Sequence, residues 1–393
     1  MSARTAVRRA VDALTARMWW VFALWATVLG AVHASVWAGQ AWFYFVDGSH
    51  ALFSSEGLHL YARHPELQIG PLTFVVVAPL VFGLPGHASE IAAIVLMSGA
   101  GLVVLAEIRR LTQARSASTD PTFLLVGICL LPVWSELAVT YAHPEDVLAV
   151  LSTVFALRAV RSGRLFTAAF LLALAADFKP WAVAFVPLLL LADRRDRLRV
   201  FSIWLATIAV AWLPFYLADH RTLSAGAYEI PNSLASSLRV FGVNAASTPT
   251  WDRPAQLVLA TALGVVMMRR GRWSAVVLVA VAARLLLDPS VKSYYDAALL
   301  AGTAICDLVL LGGPIPALTL SAALVFYLPM FALQSEPHIY GLVRTAYLLS
   351  VLALVTFVPD AKLRPAADKP HAGLTTTGPA RFHLCQATSR SRP

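Results

Sequence analysis

Residues 88–107 read ASEIAAIVLMSGAGLVVLAE, and Arg109 and Arg110 follow directly after Ile108. The hydrocarbon core of a bilayer is about 30 Å thick, so a helix of about 20 mainly apolar residues crosses it. The stretch has that length. Lys and Arg accumulate beside spans on the cytoplasmic side of a membrane. The stretch therefore predicts a membrane-spanning helix whose carboxyl end faces the cytoplasm.

Similar apolar runs recur along the rest of the chain. Of the 393 residues, 58% are hydrophobic and 13% are charged, whereas soluble domains have about 25% charged residues. An ordinary soluble protein is therefore excluded. We predict an all-α, polytopic membrane protein of about 12 transmembrane helices. The predicted segments are Met18–Ala38, Ala88–Glu107, Pro121–Ala142, Val147–Val160, Leu165–Phe178, Pro180–Ala192, Leu198–Leu217, Pro254–Met268, Trp273–Leu287, Tyr295–Leu311, Pro314–Ala332 and Tyr340–Val358.

The basic residues predict the orientation. The formal net charge is +9, and most of the 31 lysines and arginines fall in clusters that the predicted topology places on one side. By the positive-inside rule this side is the cytoplasm, with both termini inside. We predict a multi-pass plasma-membrane protein whose basic residues lie beside anionic membrane lipids and do not bind nucleic acid. The clusters are residues 4–17, 109–115, 158–164, 194–199, 269–272 and the segment after 359.

Residues 1–358 are predicted to form a single transmembrane domain. Met18–Ala38 lacks a small-residue cleavage site, so it is predicted to be the first span and not a removed signal peptide. Three further segments are predicted: a first extracytoplasmic loop at 39–87 with an interfacial or re-entrant helix at Pro71–Leu84, a long outer loop at 218–253, and a disordered cytoplasmic tail at 359–393.

A lysine and an aspartate interrupt one apolar run. Asp177 and Lys179 lie within residues 168–191, and a charge at mid-bilayer costs about 3 kcal/mol on insertion scales. Pro180 disfavours helical geometry at Lys179, so the run is predicted to split into two short helices with both charges at the outer turn. Lys179 could there bind a lipid-linked phosphate. The alternative is an Asp177–Lys179 ion pair that shapes the turn.

An early carboxylate follows an aromatic stretch. Asp47 comes shortly after WFYF, residues 42–45, and aromatic residues concentrate at the membrane interface. A carboxylate at that height could accept a proton as a general base. The alternative, which Asp47 taken alone favours, is that it caps a helix beginning at Gly48.

Three polar residues mark a predicted helix start, namely His143, Glu145 and Asp146. Acidic residues at a helix N-terminus are commonly partners of the helix dipole. They could equally bind sugar hydroxyls or a divalent cation. Their spacing is not a recognised metal motif, so we predict no metal and no cofactor.

Aromatic and polar residues also occupy the other predicted outer segments. Tyr294 and Tyr295 follow Lys292 and lie between Asp288 and Asp296. Tyrosine rings can cover the apolar faces of a sugar while carboxylates accept hydrogen bonds from its hydroxyls, and an interfacial tyrosine pair is an equal alternative. The other candidates are Tyr61, His64, Tyr228 and Glu229 for substrate binding, and Lys292 for the lipid-linked phosphate.

The order of these features resembles the GT-C-type membrane glycosyltransferases, and among them the polyprenol-phosphate-mannose-dependent mannosyltransferases of actinobacteria. The resemblance spans residues 18–300. Each motif is short, so their order and their common outer location carry the resemblance. The matching elements are Asp47 for an acidic residue early in the first outer loop, Gly57–Tyr61 for a Gly-x-x-x-Tyr element, and Lys179-Pro180 for a Lys-Pro element after Gly163-Arg164.

Two elements depart from the family's pattern. Ile69-Gly70-Pro71-Leu72 stands where the family has Tyr-Pro-Pro-Leu, and residues 143–146 replace a Gly-Gln-x-Asn-type loop. These departures leave the particular sugar and acceptor open.

The resemblance implies a polyprenyl-phosphate sugar donor, used outside the cytoplasm, and a lipid or glycan acceptor. It implies transfer of mannose or another hexose with inversion at the anomeric carbon, and Asp47 as the general base. Lys179 would stabilise the charge that develops on the leaving polyprenyl phosphate. No nucleotide site is needed, and the sequence has no glycine-rich phosphate loop.

Two other classes of protein fit the same sequence. A transporter or flippase of a lipid-linked saccharide would also use intramembrane charges and broken helices, although no inverted repeat is evident. A non-catalytic membrane relative would explain the altered elements. A closed outer cavity holding Asp47 and Lys179 would favour the enzyme, and a central path open at both ends would favour transport.

Overall fold

The chain folds into helices. The computed structural model describes residues 12–112, 120–333 and 335–358, and within these residues it has no β-strand. The predicted all-α fold is confirmed. The predicted tail at 359–393 lies outside the described residues. The longer helices are α1, Met18–Val36; α2, Trp42–Leu52; α3, Pro71–Gly83; α4, Gly86–Thr112; α5, Asp120–Ser135; α6, Pro144–Arg161; α7, Leu165–Phe178; α8, Arg194–Ala218; α9, Asp252–Arg269; α10, Val276–Leu287; α11, Asp296–Ile305; α12, Ala317–Ala322; and α13, Pro337–Phe357.

Several α-helices are extended by π-helical turns, and 3-10 helices lie between others. π-Helical turns extend α5, α11 and α12, and such turns are frequent at functional sites. The turn after α5 leads to His143. The π-helical turns are Glu136–Tyr141, Cys306–Leu311 and Ala323–Tyr327; the 3-10 helices are Gly57–His59, Pro180–Leu191, His220–Ala227, Trp273–Ala275 and Ser293–Tyr295; and short α-helices are Leu60–Arg63, Ser237–Val240 and Leu328–Ala332.

Six helical stretches among the described residues are long and apolar enough to cross a membrane. The chain is therefore a polytopic membrane protein. Shorter apolar helices lie among them, so the count of about 12 crossings remains a prediction. The six stretches are Met18–Val36, Gly86–Thr112, Asp120–Tyr141, Arg194–Ala218, Ser293–Leu311 and Pro337–Phe357, and the shorter ones are Pro71–Gly83, Leu165–Phe178, Pro180–Leu191, Trp273–Leu287 and Ala317–Tyr327.

The predicted break before Pro180 is confirmed. Helix α7 ends at Phe178, and Lys179 is extended, with φ −137° and ψ 106°. The proline ring disfavours helical geometry at the residue before it, and the chain restarts as the 3-10 helix Pro180–Leu191. Lys179 therefore stands at the junction of two short apolar helices.

The helices run between two ends of a bundle. One end, which we call the loop end, contains residues 37–41, 142–144, 179, 219–251 and 288–295. Backbone hydrogen bonds link several segments at this end. Gly39, Gln40 and Ala41 donate to the carbonyls of residues 139–141 over 2.9–3.0 Å, and Ser233 donates to Pro289 over 2.8 Å. The loops that the sequence assigned to one side thus lie together.

The opposite end, which we call the arginine end, is held by ion pairs. Arg109 pairs with Asp120 at 2.9 Å, and Arg158 pairs with the buried Glu107 at 3.0 Å. These contacts join the carboxyl ends of α4 and α6 to the start of α5. Arginines here thus tie helices together as well as marking the predicted cytoplasmic side.

The first loop packs closely on the break before Pro180. A Cβ atom on Gly70 would lie 1.3 Å from the carbonyl oxygen of Asp177, so only glycine permits this approach. The Gly70 N–H donates to the carbonyl of Phe178 over 3.0 Å, and the buried Tyr61 hydroxyl donates to the Ile69 carbonyl over 2.7 Å. Tyr61 therefore supports the loop, and its hydroxyl is engaged by backbone.

Orientation can be tested by cysteine labelling in a cysteine-free background. Asp47→Cys and Glu229→Cys are exposed at the loop end and should react with an impermeant maleimide in intact cells. Arg195→Cys, exposed at the start of α8, should react only after permeabilisation. Reaction of Arg195→Cys in intact cells would reverse the predicted orientation.

Candidate functional site

A buried lysine lies between two carboxylates at the loop end. The Lys179 Nζ atom is 2.7 Å from Glu145 Oε1 and 3.0 Å from Asp146 Oδ2. His143 Nδ1 is 2.7 Å from the same Glu145 oxygen. Glu145 is 1% exposed and Asp146 is 5% exposed. We call His143, Glu145, Asp146 and Lys179 the acidic cluster.

Local backbone features bring these four residues together. The π-helical turn after α5 ends at Ala142, a buried non-glycine residue with φ 53°, and such left-handed residues often accompany functional sites. Pro144 then starts α6, which places Glu145 and Asp146 in its first turn, where the helix dipole favours carboxylates. The break before Pro180 supplies Lys179 from the neighbouring helix.

Glu145 and Lys179 remain charged despite burial. Burial alone raises the pKa of Glu145, but His143 and Lys179 together lower it to about 2. Burial lowers the pKa of Lys179, and the carboxylates of Asp146 and Glu145 outweigh this and raise it. The cluster thus holds two carboxylates against one ammonium. Glu145 Oε2 has no hydrogen-bond partner among the described residues, so it can accept a hydrogen bond from a ligand.

Acid should destabilise the folded chain in part through the acidic cluster. The pKa of Glu145 in the folded chain is about 2, below the value of about 4.3 for an unfolded glutamate. The stability from ionised Glu145 is therefore present above about pH 4.3 and is lost as the pH falls toward about 2. The Tm of the wild type should fall more steeply over this range than that of Glu145→Gln. Parallel Tm curves would contradict the assignment of a lowered pKa.

Aromatic rings cover one side of the acidic cluster. The His143 ring stacks on Tyr294 with centroids 4.0 Å apart and an interplanar angle of 22°. Tyr141 and Tyr295 pack on Tyr294 at 4.8 Å and 4.5 Å. The predicted Tyr294–Tyr295 pair is thus next to the predicted helix start. Its rings hold His143 in place, since stacking restricts the imidazole.

Sequence reasoning missed an arginine beside these rings. Arg284 lies in the apolar helix α10, and its guanidinium carbon is 4.2 Å from the Tyr295 ring centroid and 4.9 Å from that of Trp181. Its Nη2 atom is 2.9 Å from Asp288 Oδ2. The signal was present in the sequence, because a single arginine inside an apolar run demands a partner and often marks a functional site.

A second buried polar group adjoins the acidic cluster and was also missed. His33 Nδ1 is 2.8 Å from Thr140 Oγ1 and 3.3 Å from Glu136 Oε1. The Ser293 hydroxyl donates to Glu136 Oε2 over 3.5 Å. These residues join α1, the π-helical turn and the segment before α11, and so fix the backbone on which His143 and Tyr294 stand.

Asp47 lies near the acidic cluster but faces away from it. It is exposed, in the middle of α2, and makes no hydrogen bond or ion pair with another described residue. Phe45 on the buried face of α2 packs against the His143 ring at 6.1 Å. The alternative that Asp47 caps a helix starting at Gly48 is wrong, because α2 already begins at Trp42. Its role as a general base remains a prediction.

The alternative Asp177–Lys179 ion pair is wrong. Lys179 pairs with Glu145 and Asp146, whereas Asp177 is fully buried in the last turn of α7 with neither carboxylate oxygen hydrogen-bonded to a described residue. The cause is the break itself, because the extended backbone at Lys179 turns the lysine toward α6 and away from α7.

Other predicted residues lie at the loop end without joining the cluster. His64 Nδ1 is 3.2 Å from Glu66, and Glu229 accepts a hydrogen bond from Ser247 over 2.7 Å. The carbonyl of Tyr228 accepts from Arg253, and Lys292 is exposed. The structure therefore concentrates the predicted site in His143, Glu145, Asp146, Lys179, Tyr294 and Tyr295.

Three cluster residues could together hold a metal ion. Ligand atoms of His143, Glu145 and Asp146 all lie within 4.8 Å of one another. The Lys179 ammonium already contacts both carboxylates, at 2.7 Å and 3.0 Å. The ammonium supplies positive charge at these carboxylates, and a metal ion bound there would share them with Lys179.

Comparisons with known proteins give no family. No protein-family model matches the chain, and a search of curated proteins finds no match. The functional argument therefore depends on the geometry and chemistry of the loop end.

Proposed function

We propose that the chain is a membrane glycosyltransferase that moves a sugar from a polyprenyl-phosphate donor to a lipid or glycan acceptor. The observation that carries the proposal is the acidic cluster, which buries the carboxyl groups of Glu145 and Asp146 against Lys179 at the loop end, among apolar helices. Buried charges in a membrane protein are costly and generally serve function.

The cluster suits the sugar part of such a donor. Sugar hydroxyls donate hydrogen bonds to carboxylates, and Glu145 Oε2 is a buried acceptor without a hydrogen bond from a described residue. Charged acceptors form the stronger hydrogen bonds. The apolar helices around the cluster suit a polyprenyl chain, because the lipid carrier would remain in the bilayer while its sugar reaches the loop end.

The proposed reaction is a direct displacement. The acceptor hydroxyl oxygen attacks the anomeric carbon, the bond from that carbon to the phosphate oxygen breaks, and its electron pair leaves with the polyprenyl phosphate. We propose that Asp47, on the exposed face of α2, takes the hydroxyl proton and that a cation of the loop end stabilises the leaving phosphate. Lys179 is the cation that the sequence predicts for this role. Lys292, exposed beside Tyr294, is a further candidate for the phosphate.

A transfer assay tests the proposal. Purified protein would be incubated with a panel of radiolabelled polyprenyl-phosphate hexoses and membrane extract as acceptor, and the products resolved. We expect label from at least one hexose, such as mannose, in a new lipid or glycan product. Absence of transfer from every donor by folded protein would overturn the proposal.

A lipid-linked saccharide transporter is the second candidate. The feature that favours it is the break before Pro180, because discontinuous helices with charged residues form the binding sites of many transporters. Transport would move the intact donor across a liposome bilayer, whereas transfer would cleave it. The two outcomes can be separated with the same labelled donors.

A further inference from the structure

We propose that Arg284 is the main binding residue for the donor phosphate, an inference that rests on the proposed glycosyl transfer. Arg284 is only 7% exposed, and its guanidinium group lies at the loop end next to the Tyr295 ring. A guanidinium offers five N–H donors in a planar fork that matches the oxygens of a phosphate.

Charge balance favours Arg284 over the lysines. The Lys179 ammonium is shared by two carboxylates, at 2.7 Å and 3.0 Å, so it has little charge to spare for an anion. Arg284 has one carboxylate partner, Asp288, at 2.9 Å. Lys292 is exposed, and an exposed ammonium loses much of its attraction to water and salt.

Arg284 also lies at the right place relative to the acidic cluster. Tyr295 packs on Arg284 at 4.2 Å and on Tyr294 at 4.5 Å, and Tyr294 in turn stacks on His143. The guanidinium of Arg284 also contacts the ring of Trp181, which is two residues after Lys179. These rings connect Arg284 to the acidic cluster, and we place the sugar at the cluster and its phosphate at the guanidinium.

Asp288 occupies the position that a phosphate would take. Its carboxylate accepts from Arg284 and, through Oδ1, from the Ser290 N–H at 2.9 Å. Residues 288–292 form a non-helical segment between α10 and the 3-10 helix Ser293–Tyr295. We infer that the donor phosphate replaces the Asp288 carboxylate on Arg284 as this segment shifts.

Equilibrium binding of farnesyl phosphate to purified protein in nanodiscs tests the assignment, with farnesol as the uncharged probe. Wild type should bind farnesyl phosphate at least about tenfold more tightly than farnesol, since a hydrogen bond to a charged group contributes about 1.5–3 kcal/mol. Arg284→Met should lose about tenfold or more for farnesyl phosphate with farnesol unchanged. Asp288→Asn should bind farnesyl phosphate more tightly, because it removes the competing charge.

Arg158 provides the control. It lies at the arginine end and pairs with the buried Glu107 at 3.0 Å, so it shares no ion-pair partner with Arg284. Arg158→Met should leave farnesyl phosphate affinity within about threefold of wild type. Arg284→Lys, which keeps the charge but not the fork, should fall between wild type and Arg284→Met and provides the test if the methionine variant does not fold.

The outcomes separate this inference from the proposed function. If wild type prefers farnesyl phosphate and the Arg284 variants bind it equally well, the assignment of Arg284 is overturned while the proposed function stands. If wild type binds farnesol and farnesyl phosphate equally, both are overturned.

Discussion

Asp47→Asn is expected to fold, to bind the lipid donor and to turn over about 10²–10⁴-fold more slowly, the usual cost of removing a general base. The asparagine keeps the size of the side chain but cannot take a proton. Asp47 is exposed beside Phe43 and Tyr44 at the loop end and has no partner among the described residues. Its carboxylate is therefore available to an acceptor hydroxyl at the membrane interface. The measurement is the single-turnover rate at saturating donor.

Glu66→Gln is the control for Asp47→Asn. Glu66 is another exposed carboxylate of the first loop, and it pairs with His64 at 3.2 Å. Its substitution should change the rate by less than about threefold, since surface substitutions are usually small in effect. If folded Asp47→Asn turns over at the wild-type rate, Asp47 is not the general base. Glu145 and Asp146, on the other side of α2, would then be the next candidates for the base.

Lys179→Met is expected to lower the free energy of unfolding by about 3–5 kcal/mol, the usual cost of breaking a buried ion pair by removing one partner. The substitution leaves the buried carboxylates of Glu145 and Asp146 without their cation. The effect is measured by titrating the purified protein in a mild detergent with denaturant and following the loss of helix by circular dichroism.

Two further variants show whether charge or packing causes that loss. Lys292→Met, at an exposed lysine, should change stability by less than about 0.5 kcal/mol. The triple variant Lys179→Met, Glu145→Gln, Asp146→Asn removes all three charges and should recover most of the lost stability, because no buried charge is then unpaired. If Lys179→Met is as stable as wild type, Lys179 is not the counter-ion that holds the acids.

The fold follows largely from the apolar runs. The stretch 88–107 lies inside α4, and the break before Pro180 falls at Lys179 as expected from the proline. Hydropathy does not give the winding of each helix or the number that cross the bilayer. The 3-10 helix Pro180–Leu191 and the π-helical turn Glu136–Tyr141 depend on contacts with neighbouring helices.

The sequence allowed most residues of the candidate site to be predicted, but not which of them form ion pairs. Glu145, Asp146 and Lys179 were each recognisable as charges at helix ends. Lys179 pairs with the carboxylates of α6 and not with Asp177. This choice depends on the backbone angles at the break and on the packing of α6 against α7. Arg284 was missed because one charge in twelve residues of α10 barely changes an apolar pattern. Its carboxylate partner, Asp288, is four residues later, but its ring contact with Trp181 comes from a distant segment.

Cleavage of the lipid donor is the measurement that tests the central claim most directly. Folded protein in liposomes would receive a polyprenyl-phosphate [¹⁴C]hexose with and without acceptor extract, and both free polyprenyl phosphate and labelled product would be quantified. We predict acceptor-dependent release of polyprenyl phosphate in equal amounts with labelled product by wild type, and strong loss of both in Glu145→Gln. Intact donor in every reaction, with label carried across the bilayer still attached to its lipid, would contradict glycosyl transfer and support transport.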